Sequence, residues 1–156
     1  MFGPLPRRFF LTCGKGDAFT GLTSFDAALL NAGIGDTNLI RMSSILPPAA
    51  EQVDRYAFPK GSFVPLAYGE RSSTEPGTVI SAAVAVGIPQ DPLAAGVIME
   101  HSCIGELEPC EKHAQDMVRE SMELLRGLKI KDIKSIAVSH QVVRVGTVFA
   151  AVVLCP

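Results

Sequence analysis

Two adjacent serines, Ser43 and Ser44, lie near the end of an apolar segment that a double proline closes. A serine hydroxyl lies close to the carbonyl of the preceding residue, so in a strained turn Ser44 Oγ can attack the Ser43 carbonyl and convert the amide to an ester. β-Elimination would then cut the chain, and hydrolysis of the resulting dehydroalanine would leave a pyruvoyl group at residue 44. Because serines are common in turns and at strand ends, the dipeptide alone predicts only a polar terminus.

Two histidines and two cysteines lie close together in the sequence, at His101, Cys103, Cys110 and His113. Imidazole and thiolate groups bind zinc, but this spacing is not that of a zinc finger and His113 falls inside a predicted helix. The pattern favours free thiols and a surface histidine, so we predict no metal site. The segment 14–16 lacks the rest of a phosphate-binding loop and predicts a turn.

The composition describes a rather apolar protein with little net charge. Hydrophobic residues make up 47% of the 156 positions, charged residues make up 19%, and the net charge is -2. The length predicts one domain over 1–156, and the apolar excess predicts burial between subunits. Because there is no basic run, we expect no nucleic-acid or membrane partner. Four dispersed cysteines and the lack of a recognisable signal sequence favour free thiols and a cytoplasmic protein.

Hydrophobic periodicity predicts the elements that position the serine pair. The segment 23–33 predicts a short helix that Ser24 caps, with Asp26 in its first turn and Gly33 at its left-handed end. A strand is predicted over residues 38–46, where the prolines end ladder pairing.

The remaining patterns predict further strands and one long helix. Strands are expected over residues 62–67, 78–88, 94–100, 135–143 and 145–154, of which 78–88 is long enough to be a helix instead. The last strand is almost wholly apolar and is predicted to be central. The second helix should begin at Glu108-Pro109, run to about Arg126 and stop at Gly127. Its predicted apolar side contains Ala114, Met117, Ser121, Leu124 and Leu125. The whole pattern predicts an α+β sandwich with helices on the outer sheet faces.

Several segments resemble, in their order and spacing, the pyruvoyl-dependent arginine decarboxylases. They are FDAALLNAGIG at 25–35, NLIRMSSILPP at 38–48, PLAYG at 65–69, GTVISAA at 77–83, GVIME at 96–100 and FAAV at 149–152. The resemblance spans nearly the whole chain, and the combination is far more specific than any single piece.

The resemblance implies a four-layer αββα sandwich that cuts itself between Ser43 and Ser44, into an N-terminal chain 1–43 and a C-terminal chain 44–156. The covalent cofactor would be the pyruvoyl group derived from Ser44. It would form a Schiff base with L-arginine and take up the electrons released on decarboxylation, which is an electron-sink role. The products would be carbon dioxide and agmatine, a polyamine precursor. The resemblance also implies a homotrimer with active sites between subunits.

The resemblance also implies roles for individual residues. Asn38 would donate a hydrogen bond to the oxyanion formed during cleavage. Glu100 would return a proton to the substrate α-carbon, and the apolar residues before it would favour its protonated form. Asp26 would hold the substrate guanidinium, and Ser43, the new C-terminus, would also contact the substrate. Arg41 is interpreted as structural.

Two other functions remain open from the residues alone. A pyruvoyl-dependent decarboxylase of another amino acid would use Asp26 for a different cation or for none. An unprocessed trimer that binds a small amine would keep Ser43 and Ser44 in one chain. Mass spectrometry separates the enzyme, with two chains, from the binding protein, with one.

Overall fold

Two β-sheets and two helices make up the computed structural model, which describes residues 4–156. The first half contains β1 (Arg8–Ala18), α1 (Gly21–Ala32), β2 (Asn38–Arg41), β3 (Ile45–Leu46), β4 (Glu51–Gln52) and β5 (Phe63–Ser73). The second half contains β6 (Val79–Pro89), β7 (Gly96–Ile104), α2 (Leu107–Arg119) with a π-helical extension (Glu120–Leu125), β8 (Ile130–Gln141) and β9 (Val145–Cys155). Within residues 4–156, neither helix has the length and apolarity needed to cross a bilayer.

The strands form a five-stranded sheet in the order β2-β5-β9-β1-β4 and a four-stranded sheet in the order β3-β7-β6-β8. Strand β9 pairs antiparallel with β1 on one side and with β5 on the other. Its central position confirms the prediction from its continuous apolar sequence, because a strand covered on both faces has no solvent side. Strand β2 joins the edge of this sheet in parallel with β5.

Three apolar clusters show that the layers stack in the order α1, five-stranded sheet, four-stranded sheet, α2. The first cluster lies between the sheets and joins side chains such as Val84 and Ile98 to Val152. The second packs α1 on the five-stranded sheet, and the third packs α2 on the four-stranded sheet. This arrangement confirms the predicted αββα sandwich.

The start of α1 differs from the prediction. Thr20 is the N-cap and forms a capping box with Thr23, so the helix begins at Gly21 and Asp26 lies beyond its first turn. Ser24 is buried instead, and its hydroxyl shares a hydrogen bond with Thr147 Oγ1 at 2.6 Å. The end is as predicted, because Gly33 adopts a left-handed conformation with φ of 79°.

The predicted turn at 14–16 is wrong, because these residues lie within β1. A Cβ atom at Gly14 would lie 2.1 Å from the Ala28 carbonyl oxygen, and one at Gly16 would lie 2.6 Å from Ala27 Cβ. The two glycines are therefore required for close approach between strand and helix rather than for a bend.

The apolar face of the second helix also differs from the prediction. The buried side chains of α2 are Cys110, Ala114 and Val118, and Met122 in the extension continues this face. Because the π-helical turn changes the angular spacing after Arg119, Leu124 and Leu125 are 80% and 73% exposed. Segment 78–88 is confirmed as a strand rather than a helix, since it lies within β6.

Candidate active site

The serine pair lies where the chain passes from one sheet to the other. A single strand over 38–46 was predicted, but β2 pairs with β5 in the five-stranded sheet and β3 pairs with β7 in the four-stranded sheet. Residues 42–44 bridge the two sheets and belong to neither. The prediction of one strand was wrong because the apolar residues before the serines belong to one sheet and those after the serines belong to the other.

Ser44 has an unusual backbone conformation, with φ of 75°. For a residue with a side chain, this left-handed region costs about 1–2 kcal/mol. Hydrogen bonds on both sides hold the segment in place. Met42 N donates to Leu66 O at 2.9 Å, and Ile98 N donates to Ser44 O at 2.9 Å. The peptide bond between Ser43 and Ser44 therefore lies in a strained segment that is fixed to both sheets.

Glu100 accepts a hydrogen bond from the hydroxyl group of Ser44. Ser44 Oγ donates to Glu100 Oε2 at 3.0 Å, with Oε1 at 3.4 Å. On β7, Val97 and Met99 pack toward α2, whereas Ile98 packs between the sheets. Strand alternation puts Glu100 on the same side as Ile98, facing the first sheet. Its side chain is 22% exposed, so the carboxylate is largely shielded but remains accessible at the edge of the sandwich.

Arg41 completes the contacts around this carboxylate. Its Nη2 atom lies 3.6 Å from Glu100 Oε1 and donates to Tyr68 O at 3.0 Å. The guanidinium also lies over the Tyr68 ring, 4.5 Å from its centroid. Arg41 was interpreted as structural from the sequence. Its contact with the site could have been anticipated, because it lies two residues before the serine pair.

Asn38 does not contact the serines within this chain. Its Nδ2 atom donates to Gly61 O at 2.9 Å. Asn38 and Arg41 begin and end β2, so their Cα atoms are about 10 Å apart in an extended strand. Asn38 is therefore separated from Ser43 by the whole length of β2.

Asp26 is exposed on α1. Among residues 4–156, no hydrogen bond or ion pair links Asp26 to Ser44 or Glu100. One chain thus brings Ser43, Ser44, Glu100 and Arg41 together and leaves Asn38 and Asp26 outside their contacts.

This arrangement can do two kinds of chemistry. A carboxylate that accepts a hydrogen bond from a hydroxyl can orient that hydroxyl and take part in proton transfer. The strain at Ser44 would be released if the preceding peptide bond rearranged, which lowers the free-energy cost of that step. Both features act on the same residue, since the hydroxyl and the left-handed backbone belong to Ser44.

Comparison with known proteins gives full-length matches. A family model described as pyruvoyl-dependent arginine decarboxylase matches residues 8–156. Three curated proteins with that name illustrate the similarity. The one from Methanococcus maripaludis is 44% identical over 149 residues, covering 96% of this chain and 90% of the relative. The one from Methanocaldococcus jannaschii is 45% identical over 150 residues, with the same coverage. The one from Thermococcus sibiricus is 37% identical over 155 residues, covering 97% of this chain and 96% of the relative.

Proposed function

Because the chain belongs to the family of pyruvoyl-dependent arginine decarboxylases, we propose that it converts L-arginine to agmatine and carbon dioxide. Agmatine is a polyamine precursor, so the reaction serves polyamine biosynthesis. The observation that carries the proposal is the contact between Ser44 and Glu100, which combines a strained serine with a carboxylate at 3.0 Å.

The residues present fit a pyruvoyl group made from Ser44. The precursor of that group must be a serine whose hydroxyl can attack the preceding carbonyl, and Ser44 follows Ser43 in a strained, anchored segment. When formed, the pyruvoyl group supplies an electrophilic carbonyl that acts as an electron sink for decarboxylation.

Cleavage is proposed to begin when Ser44 Oγ attacks the Ser43 carbonyl carbon, the C–N bond breaks to give an ester, and the hydroxyl proton passes to the Ser44 nitrogen, which becomes a free amine. Removal of the Ser44 α-proton then expels the Ser43 carboxylate and leaves dehydroalanine. Addition of water and loss of ammonia convert the dehydroalanine to a pyruvoyl group, whose carboxyl carbon stays in amide linkage to Ile45. The hydrogen bond to Glu100 orients the hydroxyl in the uncut chain, and Ser43 becomes the C-terminus of the 43-residue chain.

Glu100 is proposed to return a proton to the substrate α-carbon after carbon dioxide leaves. Its position beside residue 44 supports this role, because Ser44 Oγ and Glu100 Oε2 are within hydrogen-bond distance. Arg41 positions the carboxylate, since its guanidinium is fixed by the Tyr68 carbonyl and ring. Arg41 thereby limits the orientations that Glu100 can adopt.

Asn38 and Asp26 are proposed to act across a subunit interface in a homotrimer. Their separation from Ser44 within one chain supports this proposal, because a second chain can bring them to the site. The exposed apolar side chains around β2 also support it. Ile40 is 40%, Ile45 43% and Phe63 74% exposed, and they line one open apolar groove. Grouped apolar surface of this kind marks association sites.

In that trimer, Asp26 is proposed to hold the substrate guanidinium. A carboxylate and a guanidinium form paired hydrogen bonds, which favour arginine over lysine. Asn38 is proposed to donate to the oxyanion formed during cleavage. A cytoplasmic location is proposed as well, and it is supported by the four free cysteines.

The test is a mass measurement of the purified protein under denaturing conditions, followed by assay with arginine. We expect chains of 43 and 113 residues (156 minus 43) and release of agmatine. Borohydride reduction during turnover should attach the product covalently to the 113-residue chain. A single intact chain would instead support an amine-binding protein. Two chains with better turnover of another amino acid would support a different decarboxylase.

A further inference from the structure

A second group of reactive side chains lies on the face of β7 opposite Glu100. His101 and Cys103 are on β7, and Cys110 is on α2, which begins after a two-residue connection. One potential ligand atom from each of the three lies within 4.8 Å of the others. The proposed decarboxylase mechanism uses none of these residues.

The separation of these atoms is close to what a tetrahedral zinc site requires. With Zn–S of about 2.3 Å and Zn–N of about 2.1 Å, neighbouring ligand atoms in such a site are roughly 3.3–3.8 Å apart. Atoms no more than 4.8 Å apart therefore need movements of about 1 Å or less, which side-chain rotations can supply. Two thiols and an imidazole are also the ligand types that select zinc over magnesium or calcium.

His113 lies beside this three-residue group and is the candidate for a fourth ligand. It lies one turn after Cys110 on α2, and its ring centroid is 4.3 Å from that of His101. The two cysteines and two histidines thus come from two elements that pack against each other. The spacing of these residues in the sequence did not predict the cluster, because it forms only when α2 packs against β7.

Cys110 packs directly against the strand that carries His101 and Cys103. Its side chain is buried, and its Sγ atom donates a weak hydrogen bond to His101 O at 3.7 Å.

We propose that His101, Cys103, Cys110 and His113 bind one zinc ion that ties β7 to α2. On binding, the two thiols lose their protons to solvent and become thiolate ligands. The ion would stabilise the strand that carries Glu100 from its opposite face, so its role is structural. The proposal goes beyond the decarboxylase activity and does not depend on it.

The test uses the full-length protein, reduced and stripped of metal, with Zn²⁺ affinity measured by competition against a chromophoric chelator. Co²⁺ serves as a spectroscopic probe. We expect one equivalent to bind, with the visible absorption of tetrahedral Co²⁺ and a thiolate charge-transfer band. Loss of a residue that only supports a metal ligand typically weakens metal binding by roughly 10- to 100-fold. Because Cys103 is proposed to be a ligand itself, Cys103→Ser should weaken Zn²⁺ binding by more than that.

Cys13→Ser is the matched control, because Cys13 is also partly buried but lies on β1. It should bind zinc as the parent does. If Cys103→Ser folds poorly, His101→Gln should give the same loss of affinity without removing a thiol. The proposal is overturned if the reduced parent takes up no Zn²⁺, or if Cys103→Ser and His101→Gln both bind it undiminished. It also fails if peptide mapping of the parent purified under reducing conditions finds a disulfide between Cys103 and Cys110.

Discussion

Replacing Glu100 with glutamine should separate chain cleavage from decarboxylation. Glutamine keeps the shape of the side chain and an oxygen that can accept a hydrogen bond from the Ser44 hydroxyl. In the parent, Ser44 Oγ donates to Glu100 Oε2 at 3.0 Å. A hydrogen bond to a charged acceptor is worth about 1 kcal/mol more than one to a neutral acceptor. Cleavage should therefore slow by only about 5- to 10-fold and still reach completion, since 1.36 kcal/mol corresponds to tenfold in rate.

Decarboxylation should respond quite differently to Glu100→Gln. An amide cannot return a proton to the substrate α-carbon, and losing a general acid typically costs about 100-fold or more. Cleavage is followed by denaturing mass spectrometry, and agmatine formation is normalised to the fraction of cleaved chain. Glu75→Gln, a change in an exposed turn, is the matched control and should behave as the parent.

Two results would refute this reasoning. Near-normal turnover per cleaved Glu100→Gln chain would remove Glu100 from proton return. A chain that stays uncut would show that the carboxylate is essential as a base in cleavage, and not only as an acceptor that orients Ser44 Oγ.

Three other variants test the remaining contacts. Asn38→Ala should slow cleavage by about 100-fold or more if its amide stabilises the oxyanion. Asn31→Ala serves as the control, and equal cleavage by mass spectrometry in both would contradict that role. Asp26→Asn should raise the KM for arginine about 10- to 100-fold while changing cleavage little. Steady-state kinetics with arginine and lysine decide this, and equally poor use of both by parent and variant would exclude guanidinium recognition. Asp17→Asn should lower the free energy of unfolding at pH 7 by about 1–2 kcal/mol, measured with urea. Burial raises the pKa of Asp17, but hydrogen bonds from His140 and two backbone N–H groups outweigh it, so the pKa lies below its ordinary value of 3.8. A lowered folded pKa gives stability that is complete above 3.8 and is lost as the pH falls through the folded value, so parent and variant should converge in acid; a constant difference would contradict this.

Local patterns predicted most of the elements correctly. The apolar run of β9 identified a central strand, and Gly33 identified the end of α1. Helix caps and strand alternation involve residues a few positions apart, so a linear sequence contains the information they need. The chemistry open to Ser43 and Ser44 was also readable, because it needs only a hydroxyl next to a carbonyl.

Long-range packing explains where the predictions failed. The glycines at 14 and 16 looked like a turn, but they accommodate α1 on β1. The exposure of Leu124 and Leu125 depends on a π-helical turn that regular helical periodicity does not predict. Packing between elements decides the first case, and a local change in helical winding decides the second; residue spacing along the chain encodes neither.

The sequence by itself determined the reactive serine pair, the resemblance to the family and an α+β sandwich with helices on its outer faces. Only the tertiary structure decided that the chain passes from one sheet to the other at the serines. It also decided that Ser44 has a left-handed backbone conformation and that its hydroxyl donates a hydrogen bond to Glu100. The physical reason is that residues 42–44 are held by hydrogen bonds to Leu66 and Ile98, two partners on different sheets. Leu66 and Ile98 are far from the serines in the sequence, so sequence patterns do not reveal these contacts. The site forms because the fold brings them close together in space.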